Sequence, residues 1–486
     1  MMRSLVRTFV LLSLLFLPSL SSFAQSSSQR REQLVSQLER HLGRDDWRQA
    51  YSLVDALNRE TRGMGREDPG GIRIAAQYSR LADLLRSRDR FDEAEQVYIR
   101  LLSIRERSLG SDHPAIGRTL NAIGLFYRDQ SKFVEAAGVL TRALSIAEKA
   151  FGREHWEVAA AATSLGMIYR DQGNYGMAGP LFQRAFAITE TVAGPEHPDL
   201  TAAIDNLGLL YQAIGRLHRA RPLLERAVEI NEAALEDDDL RLATSLKSLA
   251  GIYRELGRLG EARDLYQRSL ATTEAALGPD HTEVASGLNN LALLHGTLGR
   301  LDEAEVLFDR ALTILDTVHG NEHADVAATL NNLALLYFSQ RRFSMAEPLY
   351  VRALEVFRKV FGDDHPNVAT GLNNLAGLYR EQERPDRAEP LLTEALEIRE
   401  NTLGPNHPDV ASTLNSLALL YHTEGRHSEA EPLYRRAMTI REPALGATHP
   451  SLATTMENLS ALLEETGREE EAGLLAERAR VIRAGG

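Results

Sequence analysis

Of the 486 residues in this chain, 14 are histidine, the side chain best suited to ligate metals or move protons near neutral pH. Eight keep one spacing: His113, His155, His197, His281, His323, His365, His407 and His449 lie 42 residues apart or a multiple of that, with the missing step at Asp239. Copies one repeat apart cannot share an ion through bonds of ~2 Å, and so regular a period follows the fold. They read as turn histidines, and no metal ligand is assigned. Cysteine is absent, which excludes thiol catalysis, disulfides and thiolate metal sites. The acidic run Glu236–Asp239 lacks the glycine and spaced ligands of a calcium loop and reads as solvated. There is no phosphate loop, nucleophile elbow or His-Glu-x-x-His. No catalytic residue and no cofactor is expected, and the chain does not read as an enzyme.

Two further periodic sets suit binding rather than catalysis. Asn121, Asn206, Asn289, Asn290, Asn331, Asn332, Asn373, Asn374 and Asn415 occupy two adjacent places in the 42-residue period. Asparagine is a poor residue inside a helix, so a column of them wants a reason. Its amide both donates and accepts, matching the edge of an extended peptide. Helices stacked ~10 Å apart would offer a strand rising ~3.3 Å per residue a new amide about every third residue. The alternative use is bonding between neighbouring helices of the array. Arg128, Arg170, Arg254 and Arg380, further along the same helix, would clamp an acidic ligand or else stand as solvated cations. Leu293, Leu335 and Leu419 form either a groove floor or packing between successive helices.

The elements that position these residues follow from the same period. Each unit carries two helical stripes. In the unit from His365, Leu372, Leu375, Ala376 and Tyr379 make one apolar face, and Ala388, Leu391, Leu392, Ala395 and Ile398 make the second. Gly299-Arg300 and Gly425-Arg426 show the break between them. Pro366, Pro408 and Pro450 open the first helix. The second helix is expected to start with capping boxes at Asp302–Glu305, Ser344–Glu347, Asp386–Glu389 and Ser428–Glu431. Pro348, Pro390 and Pro432 would then fall where proline forfeits little bonding. Small residues mark the helix crossing. Gly124, Gly166, Gly208, Ala250, Ala292, Ala334, Ala376 and Ala418 share one place on the first helix, and ten alanines from Ala94 to Ala472 share one place on the second.

The pattern Leu-x-x-Leu-Ala-x-x-Tyr with Gly-x-x-x-x-Ala resembles the tetratricopeptide repeat. The unit His365-Pro366-Asn367-Val368-Ala369 through Tyr379 resembles its kinesin-light-chain type. The resemblance covers about 71–486, weakening at Asp237–Arg241 and in the first units. It implies an all-α solenoid, a right-handed superhelix of antiparallel helix pairs, with first helices lining a concave face. It also implies that the asparagines contact bound peptide backbone. Neither motor activity nor cargo transport follows from it.

The remaining expectations concern address and partners. Arg3 and Arg7, the apolar run Thr8–Leu20 and the small residues ending at Ala24 have the order of a secretory signal, cleaved after Ala24. An uncleaved anchor is the alternative. The chain thus divides into a signal peptide over 1–24, a degenerate N-terminal helical hairpin over 25–70, and about ten repeat units over 71–486. The formal charge of −13 becomes −15 once Arg3 and Arg7 are removed. That balance disfavours nucleic acid, and no later stretch has membrane-spanning length. The expected protein is exported, periplasmic or secreted, and binds a protein or extended peptide segment in its groove. The competing expectation is a structural or assembly component acting through convex faces or end-to-end stacking.

Overall fold

Eight first helices of the repeat begin at a histidine. Nδ1 of His155, His281, His323, His365, His407 and His449 accepts the backbone N–H two residues on, at 3.0–3.2 Å. His113 and His197 make the same bond. At the one step without histidine, Asp239 caps through its carboxylate, accepting Arg241 N–H at 2.8 Å. The column is therefore an N-cap column, meeting one of the amides a helix start leaves unpaired.

These bonds are seen in a computed structural model that describes residues 17–61, 68–88, 90–236 and 238–485, with side chains from residue 29. Packing divides the chain into two compact units: Met1–Phe126 with Gly138–Arg153, and Tyr127–Ala137 with Glu154–Gly486. In the first unit a helix over Leu17–Leu42 is followed by two short ones, Trp47–Ser52 and Val54–Thr61, so the second arm of the expected hairpin is broken at Leu53. The cleavage point expected after Ala24 falls within the first of these helices, and residues 1–16 lie outside the described ones. Tyr78 and Tyr98 fill this unit's core, their hydroxyls donating to the Val54 carbonyl and to Asp83, both at 3.0 Å.

In the second unit, first helices such as Thr282–Thr297, Ala324–Ser339, Pro366–Glu381, Pro408–Thr423 and Pro450–Glu465 alternate with second helices of 19 residues. All ten alanines of the second-helix column are fully buried. Opposite them the crossing is tight enough that a methyl built on Gly166 would come within 2.8 Å of the Phe182 ring. The described residues contain no strand, and no described helix is long and apolar enough to cross a membrane.

The expected capping boxes are not formed. The second helices start earlier, at Leu301, Phe343, Pro385 and His427, and their N-caps Arg300, Arg342, Arg384 and Arg426 make no side-chain cap bond. The interhelix turn explains the shift. Each of these arginines donates its backbone N–H to the carbonyl five residues back, as Arg342 does to Tyr337 at 2.9 Å. The residue before it sits in the left-handed region, Gly299 at φ 73° or Arg341 at φ 56°. That closure ends one helix and starts the next at a single residue. Pro348, Pro390 and Pro432 consequently fall in the second turn, where each forfeits one helical bond.

Candidate functional site

Which face could receive a ligand follows from how the repeats touch. In the second unit most consecutive first helices contact one another, whereas each second helix packs against the first helices flanking it. Elements that meet across repeats lie on the inside of the curve, so the first helices line the inner face. The same unit then meets itself. His365 Nε2 reaches Ser131 Oγ, and His407 Nε2 the Asp171 carbonyl, both at 3.2 Å between residues 234 and 236 apart. His449 approaches Gly215 in the same manner. One coil therefore spans roughly five and a half repeats before its interhelix turns touch the histidine loops of the next. Burial there lowers the pKa of His365 to about 4, and lowers those of His407 and His449 as well.

The asparagine column is half-buried and partly bonded within the array. Asn289 Nδ2 donates to Thr329 Oγ1 at 2.7 Å, Asn374 to Asn331 Oδ1 at 3.0 Å, and Asn458 to Asn415 Oδ1 at 3.2 Å. Asn206 donates to the Ala202 carbonyl at 2.9 Å, inside its own helix. Asn290 and Asn332 are half-buried beside them. The Oδ1 atoms of Asn121 (in the first unit), Asn289 and Asn373 are buried with no hydrogen-bond partner among the described residues. Of the arginines, Arg128 pairs with Asp171 at 2.5 Å, Arg170 with the same carboxylate at 3.0 Å, and Arg380 with Glu381 at 3.0 Å. Arg254 is half-buried on its helix. Leu335 is exposed, while Leu293 and Leu419 pack partly buried against core clusters.

One stretch of the inner face differs. Between the helices Trp156–Asp171 and Thr201–Ala213 lies a pocket of about 580 Å³. Ala160, Thr163, Ala202 and Asn206 line it from the first helices, and Trp156 and Val192 stand at its side, each more than half exposed. Elsewhere the place of Trp156 holds proline, leucine, isoleucine, threonine or alanine. Next to Asn206, Asp205 is buried. Its Oδ2 accepts Ser245 Oγ at 3.2 Å, its Oδ1 has no partner among the described residues, and burial pushes its pKa up to about 6.

The sequence reading missed an inter-repeat ladder. Glu389 accepts the Tyr421 hydroxyl at 2.8 Å and Arg426 Nη1 at 2.8 Å, while the Arg426 guanidinium lies 3.9 Å over the Tyr421 ring. Glu347, Tyr379 and Arg384 repeat the arrangement. The sequence pattern suggests capping boxes for these glutamates, and their constant distance of 37 residues from an arginine is the signal for the ladder.

A sequence profile of the tetratricopeptide repeat matches residues 73–149, 157–233, 200–275, 240–317, 325–401, 372–443 and 409–483. No curated protein sequence matches. Among solved structures the chain is similar to BtubC (BKLC) from P. vanneervenii, with 30% identity, 47% of this chain and 91% of that one covered, and a TM-score of 0.40. It is also similar to a Podosopora anserina chain named for the kinesin light chain and built of nearly identical TPR-like repeats. That match has 26% identity, 43% and 98% coverage, and a TM-score of 0.37. A Rap protein complexed with competence and sporulation factor matches 86% of this chain and 99% of its own at 14% identity, with a TM-score of 0.48.

Proposed function

The chain belongs to the tetratricopeptide-repeat family, and from that premise we propose that it is an exported scaffold whose inner face binds an extended segment of a protein partner. Stacked helical hairpins of this kind make protein-binding scaffolds. The observation that carries the finer reading is the Trp156 pocket, an apolar recess set among inner-face amides. A segment lying along the first helices would bond its backbone to the asparagine column, including Asn206, and seat one apolar side chain beside Trp156. An exposed tryptophan next to unfilled volume is the usual makeup of a binding anchor. The net negative charge favours a neutral or basic segment over an acidic one.

A second reading, in which the inner amides are struts of a purely structural array, is favoured by the Asn331–Asn374 and Asn415–Asn458 bonds. One experiment separates the two. Peptides selected from a random extended library on the folded chain are titrated against wild type, Trp156→Ala and Asn331→Ala/Asn373→Ala. The binding reading expects Trp156→Ala to lose about tenfold or more in affinity with an unchanged urea midpoint. Selection of no peptide, or a collapsed melt with retained binding in the asparagine variant, supports the structural reading instead. Export is tested by finding the chain in cell fractions and sequencing its amino terminus. An intact Met1 on a cell-internal chain would refute it.

A further inference from the structure

Repetition gives every position of this chain its own internal controls. The place of His427 is filled by phenylalanine, tyrosine or leucine in every repeat from Phe91 to Phe343, then by Pro385. The place of His422 holds arginine at Arg86, Arg128, Arg170, Arg254 and Arg380, and otherwise Gln212, Gly296, Phe338 or Glu464. One repeat carries histidine at both places, and the repeat after it carries Glu464 and Glu469 there. His422 lies at the end of the first helix Pro408–Thr423, His427 opens the second helix His427–Leu445, and Glu465 ends the next first helix, Pro450–Glu465. Elsewhere the same inter-repeat step holds a plain polar pair, Arg128 with Asp171 at 2.5 Å or Gln212 with Glu255 at 2.6 Å.

We propose that His422, His427 and Glu465 bind a divalent ion of the zinc class, which clamps two successive repeats together. Both imidazoles aim Nε2 at one carboxylate oxygen: His422 stands 3.2 Å and His427 3.3 Å from Glu465 Oε2. The three ligand atoms all lie within 4.8 Å of one another. Tetrahedral zinc with bonds of ~2.0–2.1 Å holds its ligands about 3.3–3.4 Å apart, so two edges of the triangle already have the required length. The imidazole rings meet edge-on at 83° rather than stacking. Tyr434 packs edge-on against His422 at 88°, fixing that ring from behind. The side chain of His422 is 11% exposed and that of Glu465 56%, so the site is walled on one side and open to water, which would fill the fourth position. Two neutral nitrogens and one carboxylate suit zinc and its neighbours, whereas magnesium and calcium demand oxygen ligands.

A second cluster, His319, His323 and Asp325, serves as a contrast. There the two rings stack at 12°, and His323 Nδ1 is engaged as a helix cap by the Asp325 N–H. Nor does the neighbouring Arg426 occupy the proposed site, since its guanidinium is engaged by Glu389, Glu424 and Glu429.

The test uses the full chain without a polyhistidine tag, stripped with EDTA and titrated calorimetrically with zinc chloride or magnesium chloride. One equivalent of zinc is expected to bind in the micromolar range or tighter and to raise the melting temperature, with no response to magnesium. His427→Leu installs the residue type other repeats carry there, so it keeps the fold. It should lose about tenfold or more in zinc affinity, as should Glu465→Gln, while His319→Gln changes neither titration nor melt. Unaltered zinc binding in His427→Leu, loss in His319→Gln instead, or no zinc uptake by the wild-type chain overturns the proposal and leaves a hydrogen-bonded cluster only.

Discussion

Residues 282–465 and residues 156–255 are built on one repeat, yet they furnish its inner face in opposite ways. In the later stretch the amides bond across helices, Asn289 to Thr329, Asn374 to Asn331 and Asn458 to Asn415. In the earlier one the equivalent places hold Thr163, Asp205 and Lys247, small Ala160 and Ala202 leave a pocket, and Asp205 is buried with its Oδ1 unpartnered among the described residues. Paired amides fix the spacing of helices, and only the Oδ1 atoms of Asn289 and Asn373 stay buried there without a partner among the described residues. Free volume beside an exposed tryptophan, with a buried acid alongside, is where binding would recover free energy that folding left unclaimed. The repeat supplies the frame, and its departures supply the chemistry.

Three experiments would sharpen or break that distinction. The largest effect is expected where the two stretches agree. Ala346 belongs to the fully buried alanine column, and Ala346→Glu should cost several kcal/mol, roughly 3–5, through overpacking and a buried charge. A urea midpoint equal to wild type would show that the columns do not set the packing.

Next comes Asp205→Asn, which gives the earlier stretch the residue found at Asn289, Asn331, Asn373 and Asn415. Burial raises the Asp205 pKa from its ordinary value to about 6. The folded state thus disfavours the carboxylate, and stability is lost as pH rises through that value. The variant should be more stable than wild type by about 2 kcal/mol at pH 8 and nearly equal to it at pH 4. Equal stabilisation at both pH values would mean that charge burial is not the cause.

The smallest effect lies at the coil-to-coil contacts. Burial depresses the pKa values of His365, His407 and His449, with His407 also facing Asp409, Arg399 and Asp171, and His449 facing Arg441. A depressed histidine pKa leaves stability intact above about 6.5 and erodes it as pH falls toward about 4. Replacing the three by asparagine, which still caps a helix, should flatten that dependence by a few degrees of melting temperature. If variant and wild type fall together on acidification, the contacts do not carry it.

Much of this architecture was legible in the residues themselves. The helix pair, the buried alanines and the cap at His-Pro follow from local sterics and the helical period, so each repeat announces them independently. Glu389 shows where that reading stops. Three residues after Asp386 it looks like half of a capping box, but the turn at Glu383–Arg384 places it two residues deeper, facing Tyr421 and Arg426 of the next repeat. Asn331, from its place in the period alone, suits either a ligand or a neighbouring helix. Its bond to Asn374 locates one acceptor and leaves the ligand question to titration.

By itself, then, the sequence determined the period, the helices and the columns at their crossing, because these depend on contacts within a repeat or with its immediate neighbour. Only the tertiary structure decided which distant loops meet. The contact of His365 with Ser131 depends on the rotation between repeats summed over a whole coil. The convergence of His422 and His427 on Glu465 depends on the same rotation taken once, at the joint between two repeats. That angle arises from the packing of many side chains together, and no single residue spacing encodes it.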